Sequence, residues 1–138
     1  KRGCVEQYCS ATGIVRIAKQ FLAGCDTTSS LRGIENLTCK DIFDAAKAED
    51  SAALAILDQV YAYMGLFLAN VCSTVNPEVV VIGGGVSNEG ETLLAPLRAY
   101  VKKNQYNKRT EKNTELCVAC LGNDAGIIGA AFLDRLYK

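Results

Sequence analysis

From Ser51 to Val75 this chain carries one charge, Asp58. Ala53, Leu57, Val60, Met64, Phe67 and Val71 fall on one helical stripe, and Leu54, Tyr61, Leu68 and Val75 on a second. A helix that is apolar on two sides packs on both, so the segment predicts a central helix about which the rest of the fold is built. Asp50 or Ser51 starts it. Asn76–Pro77 ends it, because proline pushes the residue before it out of the helical region. The longest uninterrupted apolar run, Val60–Ala69, is well short of the roughly 18 residues expected of a membrane span. A core helix is therefore expected, and no membrane partner.

Before this helix, Val5 to Ala23 reads as one helix. Val5, Tyr8, Cys9, Thr12, Val15, Ile17, Ala18, Phe21 and Leu22 recur mostly at helical spacing, and Gly24 is a suitable stop. "CDTTSSLRGIENLT" is polar loop. Thr38 caps a short helix through Ala48, with Asp41 in its favourable first turn. After the central helix, Val79–Ile82 is a continuous β-branched run, the mark of a strand buried on both faces. A helix follows from Gly90 to Lys103, in which Pro96 marks a first turn or a kink. "TELCVACL" is a second buried strand, and Asp124–Tyr137 a closing helix with Asn123 as its N-cap.

The order is three helices, then strand, helix, strand, helix. Strands separated by a helix pair in parallel through a right-handed crossover. A parallel sheet of two strands is too small to be stable alone. The missing strands are expected from another part of the same protein or from another subunit, so the chain reads as a piece of something larger. An incomplete sheet also invites pairing between copies.

The 138 residues suffice for one domain. With 49% hydrophobic and 22% charged residues the composition is globular rather than disordered. Lysines plus arginines equal aspartates plus glutamates at 15 each, so no global charge points to nucleic acid. The local cluster Lys102, Lys103, Lys108, Arg109 and Lys112 contains Glu111 and reads as a solvated loop. No leader is visible, and seven irregularly spaced Cys predict reduced thiols in a cytoplasmic setting. The absence of His excludes Ser–His–Asp and Cys–His catalysis and any His-containing metal site within these residues.

Cys4 and Glu6 form a weak local signal. They read either as site residues or as a small buried Cys and an acidic residue near a helix N-terminus. Cys117 and Cys120 have chelate-like spacing, but in a strand residues three apart face opposite ways, so both read as core. Gly83–Gly84–Gly85 stands at the carboxyl end of a strand, where ligands of α/β sheets bind and glycine lets backbone approach a nucleotide. "GGGVSNEG" fits neither the dinucleotide fingerprint nor the Walker A loop. A tight turn with close helix packing accounts for it equally well.

Three stretches together are more specific. "KRGCVEQYCSATGI", "NPEVVVIGGGVS" and "LGNDAGIIGAAFL" resemble, in this order and at this spacing, the C-terminal half of bacterial ROK-family sugar kinases, especially their glucokinases. Lys1–Arg2–Gly3–Cys4–Val5–Glu6 matches the tail of the family motif Cys-x-Cys-Gly-x-x-Gly-Cys-x-Glu. The resemblance implies an α/β fold. It would be part of the C-terminal lobe of an actin-like (ribonuclease H-like) ATPase, three helices followed by β-α-β-α with a parallel strand pair.

The resemblance further implies that Cys4 is the last Cys of a structural Zn²⁺ site whose other ligands lie upstream. One thiolate cannot hold Zn²⁺, so no zinc is expected in these residues alone. Glu6 corresponds to a sugar-binding glutamate, whose two acceptor oxygens suit neighbouring hydroxyls. Gly83, Gly84 and Gly85 correspond to a glycine segment on the adenosine side of ATP, which acts with Mg²⁺. The general-base aspartate corresponds to no residue among 1–138. The expected function is the C-terminal part of a hexose kinase, with glucose as the hexose and a homo-oligomer as the assembly, inactive without its N-terminal part. The alternatives are a sugar-responsive repressor of the same family, which would bind nucleic acid, and a non-catalytic oligomerisation module.

Overall fold

The central helix starts at a cap. The Asp50 carboxylate accepts hydrogen bonds from the N–H groups of Ala52 and Ala53 at 3.0 and 3.1 Å. The helix then runs unbroken over Ser51–Val75 and ends on Asn76, left-handed at φ 48°, before Pro77. The computed structural model describes residues 3–106 and 114–133. In chain order they form α1 (Glu6–Cys9), α2 (Ala11–Gly24), α3 (Cys39–Lys47), α4 (Ser51–Val75), β1 (Val79–Ile82), α5 (Glu91–Asn104), β2 (Glu115–Val118) and α6 (Ala125–Ala131). Short 3₁₀ turns lie at Ser30–Gly33, Gly85–Glu89 and Gly122–Asp124. The strands pair in parallel, with Val79 opposite Glu115 and Ile82 opposite Val118, as the strand–helix–strand order predicts.

α4 packs against α1, α2, α3 and α5. Ala53, Ile56, Leu57, Val60, Met64 and Leu68 meet Ile14, Ile42, Phe43, Leu93 and Leu97 in one continuous core. The expected two-sided packing holds in part. Tyr63 packs on Tyr8 of α1 while Gly65, two positions on, lies against Tyr100 of α5, yet Leu54, Leu66, Phe67 and Val75 are exposed. α4 is long and apolar enough to cross a membrane by length and composition, yet half of its most apolar window is buried inside the fold.

The single helix expected over Val5–Ala23 is two helices. Ser10 is extended (ψ 160°), and its hydroxyl accepts from the Gly13 N–H at 3.1 Å. A serine that caps a new helix ends the one before it. The chain folds back so closely that a Cβ on Gly13 would sit 2.6 Å from the Gln7 carbonyl oxygen. α3 follows expectation: Thr38 and Asp41 form a capping box.

Pro96 lies inside α5, past its first turn. It has no N–H to give the Thr92 carbonyl. The Tyr61 hydroxyl of α4 donates to that oxygen instead, at 2.9 Å. Burial pushes the pKa of the Tyr61 hydroxyl up to about 12, so it remains a donor throughout the physiological range.

Burial of both strand faces is also corrected. Val79 and Val81 are 47% and 58% exposed, because no helix of the described residues covers their face of β1. Val80 and Ile82 pack on the core. β2 is shorter than "TELCVACL": Ala119 makes the last bond, to the Ile82 carbonyl at 2.9 Å, and Cys120 lies beyond it in a turn. The closing helix starts at Ala125, after the 3₁₀ turn, with Asp124 rather than Asn123 in the cap position. Its expected continuation over residues 134–138 lies outside the described residues. So do Lys108, Arg109, Glu111 and Lys112, whereas Lys102 and Lys103 are exposed in the last turn of α5.

Candidate functional site

Cys4 and Glu6 sit together on the turn that enters α1. Gly3 has φ 85°, and the Cys4 carbonyl accepts from the Gln7 N–H at 3.0 Å. Cys4 is an exposed free thiol, which corrects the reading of it as a buried core Cys. Glu6 is the first residue of α1 and is exposed. α1 is pinned by Cys9, whose thiol pKa is pushed up to about 11 by burial, and by Tyr8, whose ring lies 4.7 Å from that of Tyr63. Beside them Val5, Tyr8, Cys9, Tyr63, Leu66 and Phe67 line an apolar cavity of about 340 Å³.

The three glycines leave β1 at its carboxyl end. Gly84 has φ 81°, which only glycine adopts freely. Its carbonyl accepts from the Ser87 N–H at 3.0 Å and the Ser87 hydroxyl at 2.7 Å. A Cβ on Gly83 would make ordinary contact with Ala119, and one on Gly85 would meet nothing within 4 Å. The turn geometry thus accounts for Gly84, and packing requires glycine at neither neighbour. Val86 is buried, and the segment ends at Gly90 with φ 54° and ψ −125° before α5 begins.

The glycine turn is tied to α3. Lys47 Nζ donates to Glu89 Oε2 at 2.8 Å and to Asp44 Oδ1 at 3.3 Å. Glu89 and Asp44 both hold the Lys47 ammonium above its ordinary pKa by accepting its hydrogen bonds. Sequence reasoning missed this pair. Its members lie 42 positions apart, so no local pattern joins them.

The donor set does not fit a zinc ion. Among the described residues no three His, Cys, Asp or Glu side chains come close enough to share a metal. Cys117 is half-buried on β2, with Sγ 3.9 Å from the Val80 carbonyl, and Cys120 is exposed in the turn after it. Cys4 and Glu6 belong to the α1 turn and Gly83–Gly85 to the β1–α5 turn. The structure brings each group together internally and sets the two on separate turns.

The pattern of the ROK family matches residues 1–135. A glucokinase of Halalkalibacterium halodurans is 40% identical over 138 residues, covering 98% of this chain and 42% of the relative. A glucokinase of Thermotoga maritima is 38% identical over 138 residues, covering 97% and 43%. The crystal structure of a ROK family glucokinase from Streptomyces griseus in complex with glucose and AMPPNP superposes with a TM-score of 0.84 at 31% identity, over 99% of this chain and 46% of that one. The chain therefore spans less than half the length of these relatives. The fold is the α/β fold of the actin-like sugar kinases, mostly helical, with a small parallel strand pair.

Proposed function

Because the chain belongs to the ROK family, we propose that it is the C-terminal part of an ATP-dependent hexose kinase, a glucokinase that converts glucose and ATP to glucose 6-phosphate and ADP. The observation that carries this reading is the likeness to a glucokinase at 40% identity along nearly the whole chain. Residues 1–138 are then part of the second lobe of a cytoplasmic enzyme that forms a homo-oligomer.

In this reading Glu6 accepts hydrogen bonds from two neighbouring sugar hydroxyls. Its place beside the α1 turn, on a helix pinned by Cys9 and Tyr8, gives it a fixed backbone from which to do so. Gly83–Gly85 faces the adenosine side of ATP, and the open space at Gly85 suits a backbone approached by a ligand. Cys4, exposed on the same turn as Glu6, is one ligand of a zinc site completed by residues outside this chain. The base that takes the sugar hydroxyl proton, and most of the phosphate contacts with Mg²⁺, also lie outside it.

The test is a coupled glucose phosphorylation assay on the intact protein and its Glu6→Gln variant. That substitution keeps the shape, removes the charge and replaces one acceptor by a donor. Removing an ionised hydrogen-bond partner costs about 1.5–3 kcal/mol, so the glucose KM should rise about tenfold to a hundredfold while the ATP KM stays nearly constant. Equal rises in both would mean that Glu6 acts through folding. An intact protein that binds sugar without phosphorylating it would favour a sugar-responsive repressor.

A further inference from the structure

The 3₁₀ turn Gly85–Glu89 is bracketed by two glycines with positive φ, Gly84 at 81° and Gly90 at 54°. Such joints leave a segment free to pivot unless side chains fix it. Its internal shape is set by the two Ser87 bonds to the Gly84 carbonyl, so it moves with Gly84 as a unit. Two side chains fasten that unit to the body: Val86, buried in the core, and Glu89, paired with Lys47 at 2.8 Å. A single apolar plug leaves rotation about itself. The ion pair supplies a second point and removes it.

This pair differs from an ordinary surface ion pair, which is screened and contributes little. The Glu89 side chain is only 11% exposed, whereas in the nearby Lys40–Asp44 pair the two side chains are 76% and 44% exposed. Lys47 is itself steered by Asp44, one turn back on α3. A rigid helix thus presents a cation to a largely covered carboxylate at the end of the glycine turn.

We propose that Lys47 is a positioning residue for the nucleotide. Acting through Glu89, it fixes the orientation of Gly83–Gly85 and thereby sets ATP affinity without touching ATP. The proposal rests on the reading of that turn as the adenosine-side segment.

The experiment compares variants of the intact protein by ATP and glucose KM, ADP titration and melting temperature. Misplacing a positioning group by a fraction of an ångström is felt strongly in binding and rate. Lys47→Met should therefore raise the ATP KM and the ADP Kd on the order of tenfold, with the glucose KM within about twofold. Lys47→Arg, which keeps the charge and the reach to Glu89, should stay close to the parent. Lys40→Met, which removes only the exposed pair, should change neither KM. Gly85→Val fills the open space beside the turn at an unstrained position, and it should weaken ATP if the turn faces the nucleotide.

An ATP effect of Gly85→Val with none of Lys47→Met would overturn the positioning role alone. No ATP effect of Gly85→Val would overturn both the nucleotide reading and the proposal built on it. If Lys47→Met changed both KM values equally and lowered the melting temperature, the pair would be structural only and the proposal would fail.

Discussion

Asp50 joins the polar loop to the central helix. One carboxylate oxygen caps α4 through Ala52 and Ala53, and the other accepts from the Ser29 hydroxyl and from the N–H and hydroxyl of Ser30. Burial disfavours its charge, but the N–H groups of Ala53 and Ser30 and the two serine hydroxyls outweigh burial and hold the carboxyl below its ordinary 3.8. A depressed folded value contributes stability that is present above the unfolded value and is lost as pH falls through the folded one. Asp50→Asn should therefore cost about 1–2 kcal/mol near neutral pH. Its melting temperature should converge on the parent's as both are taken below about pH 4. Thermal denaturation across a pH series checks this, and a constant gap from pH 7 to about pH 2 would remove the charge from the explanation. The cap itself was legible, because an acidic residue before an apolar stripe is a local pattern. Its bonds to Ser29 and Ser30 were not, since loop closure over some twenty residues leaves no mark in the spacing.

At the scale of elements, α4 and α5 meet at a defect. Pro96 leaves the Thr92 carbonyl without its helical partner, and Tyr61 supplies one from the neighbouring helix. Tyr61→Phe should cost about 1–2 kcal/mol by leaving a part-buried carbonyl bare. In a Pro96→Ala background the restored backbone N–H can donate to that carbonyl, and the same tyrosine substitution should cost close to nothing. Urea denaturation of the four proteins gives the coupling directly, and additive losses would show that the hydroxyl matters by burial alone. Pro96 was visible in the sequence as an irregularity, whereas its compensation was not, because Tyr61 read only as one more apolar position on a stripe. The α1–α2 break had the same origin. Apolar spacing runs through Ser10 without interruption, whereas Ser10 caps α2 and the glycine at position 13 leaves room for the chain to fold back there.

At the scale of the molecule, period and order were enough to place α4 at the centre and to pair the strands in parallel. Burial was overestimated at Leu54 and Val75 of the second α4 stripe and on the outer β1 face, because continuous apolar sequence reports what a segment is built to meet rather than what this chain supplies. The cysteine–glutamate turn and the glycine turn were singled out through the family resemblance, because the local pattern of each fits a plain helix start or a tight turn as well.

A prediction follows for residues 1–138 expressed alone. The proposed sugar contact and nucleotide turn are present, but no group among the described residues is assigned to deprotonate the sugar, and the thiols do not form a metal cluster. Proximity without the base and the phosphate contacts leaves the largest catalytic terms unsupplied. The polypeptide alone should show no glucose phosphorylation approaching the about 1 s⁻¹ of ordinary kinases. Elemental analysis of the same preparation should find far less than about one zinc per chain, since one thiolate supplies a quarter of a structural site. Turnover at the ordinary rate would move the reacting groups into residues 1–138 and overturn the division of labour proposed here. Stoichiometric zinc in a monomeric preparation would place a complete ligand set within the chain.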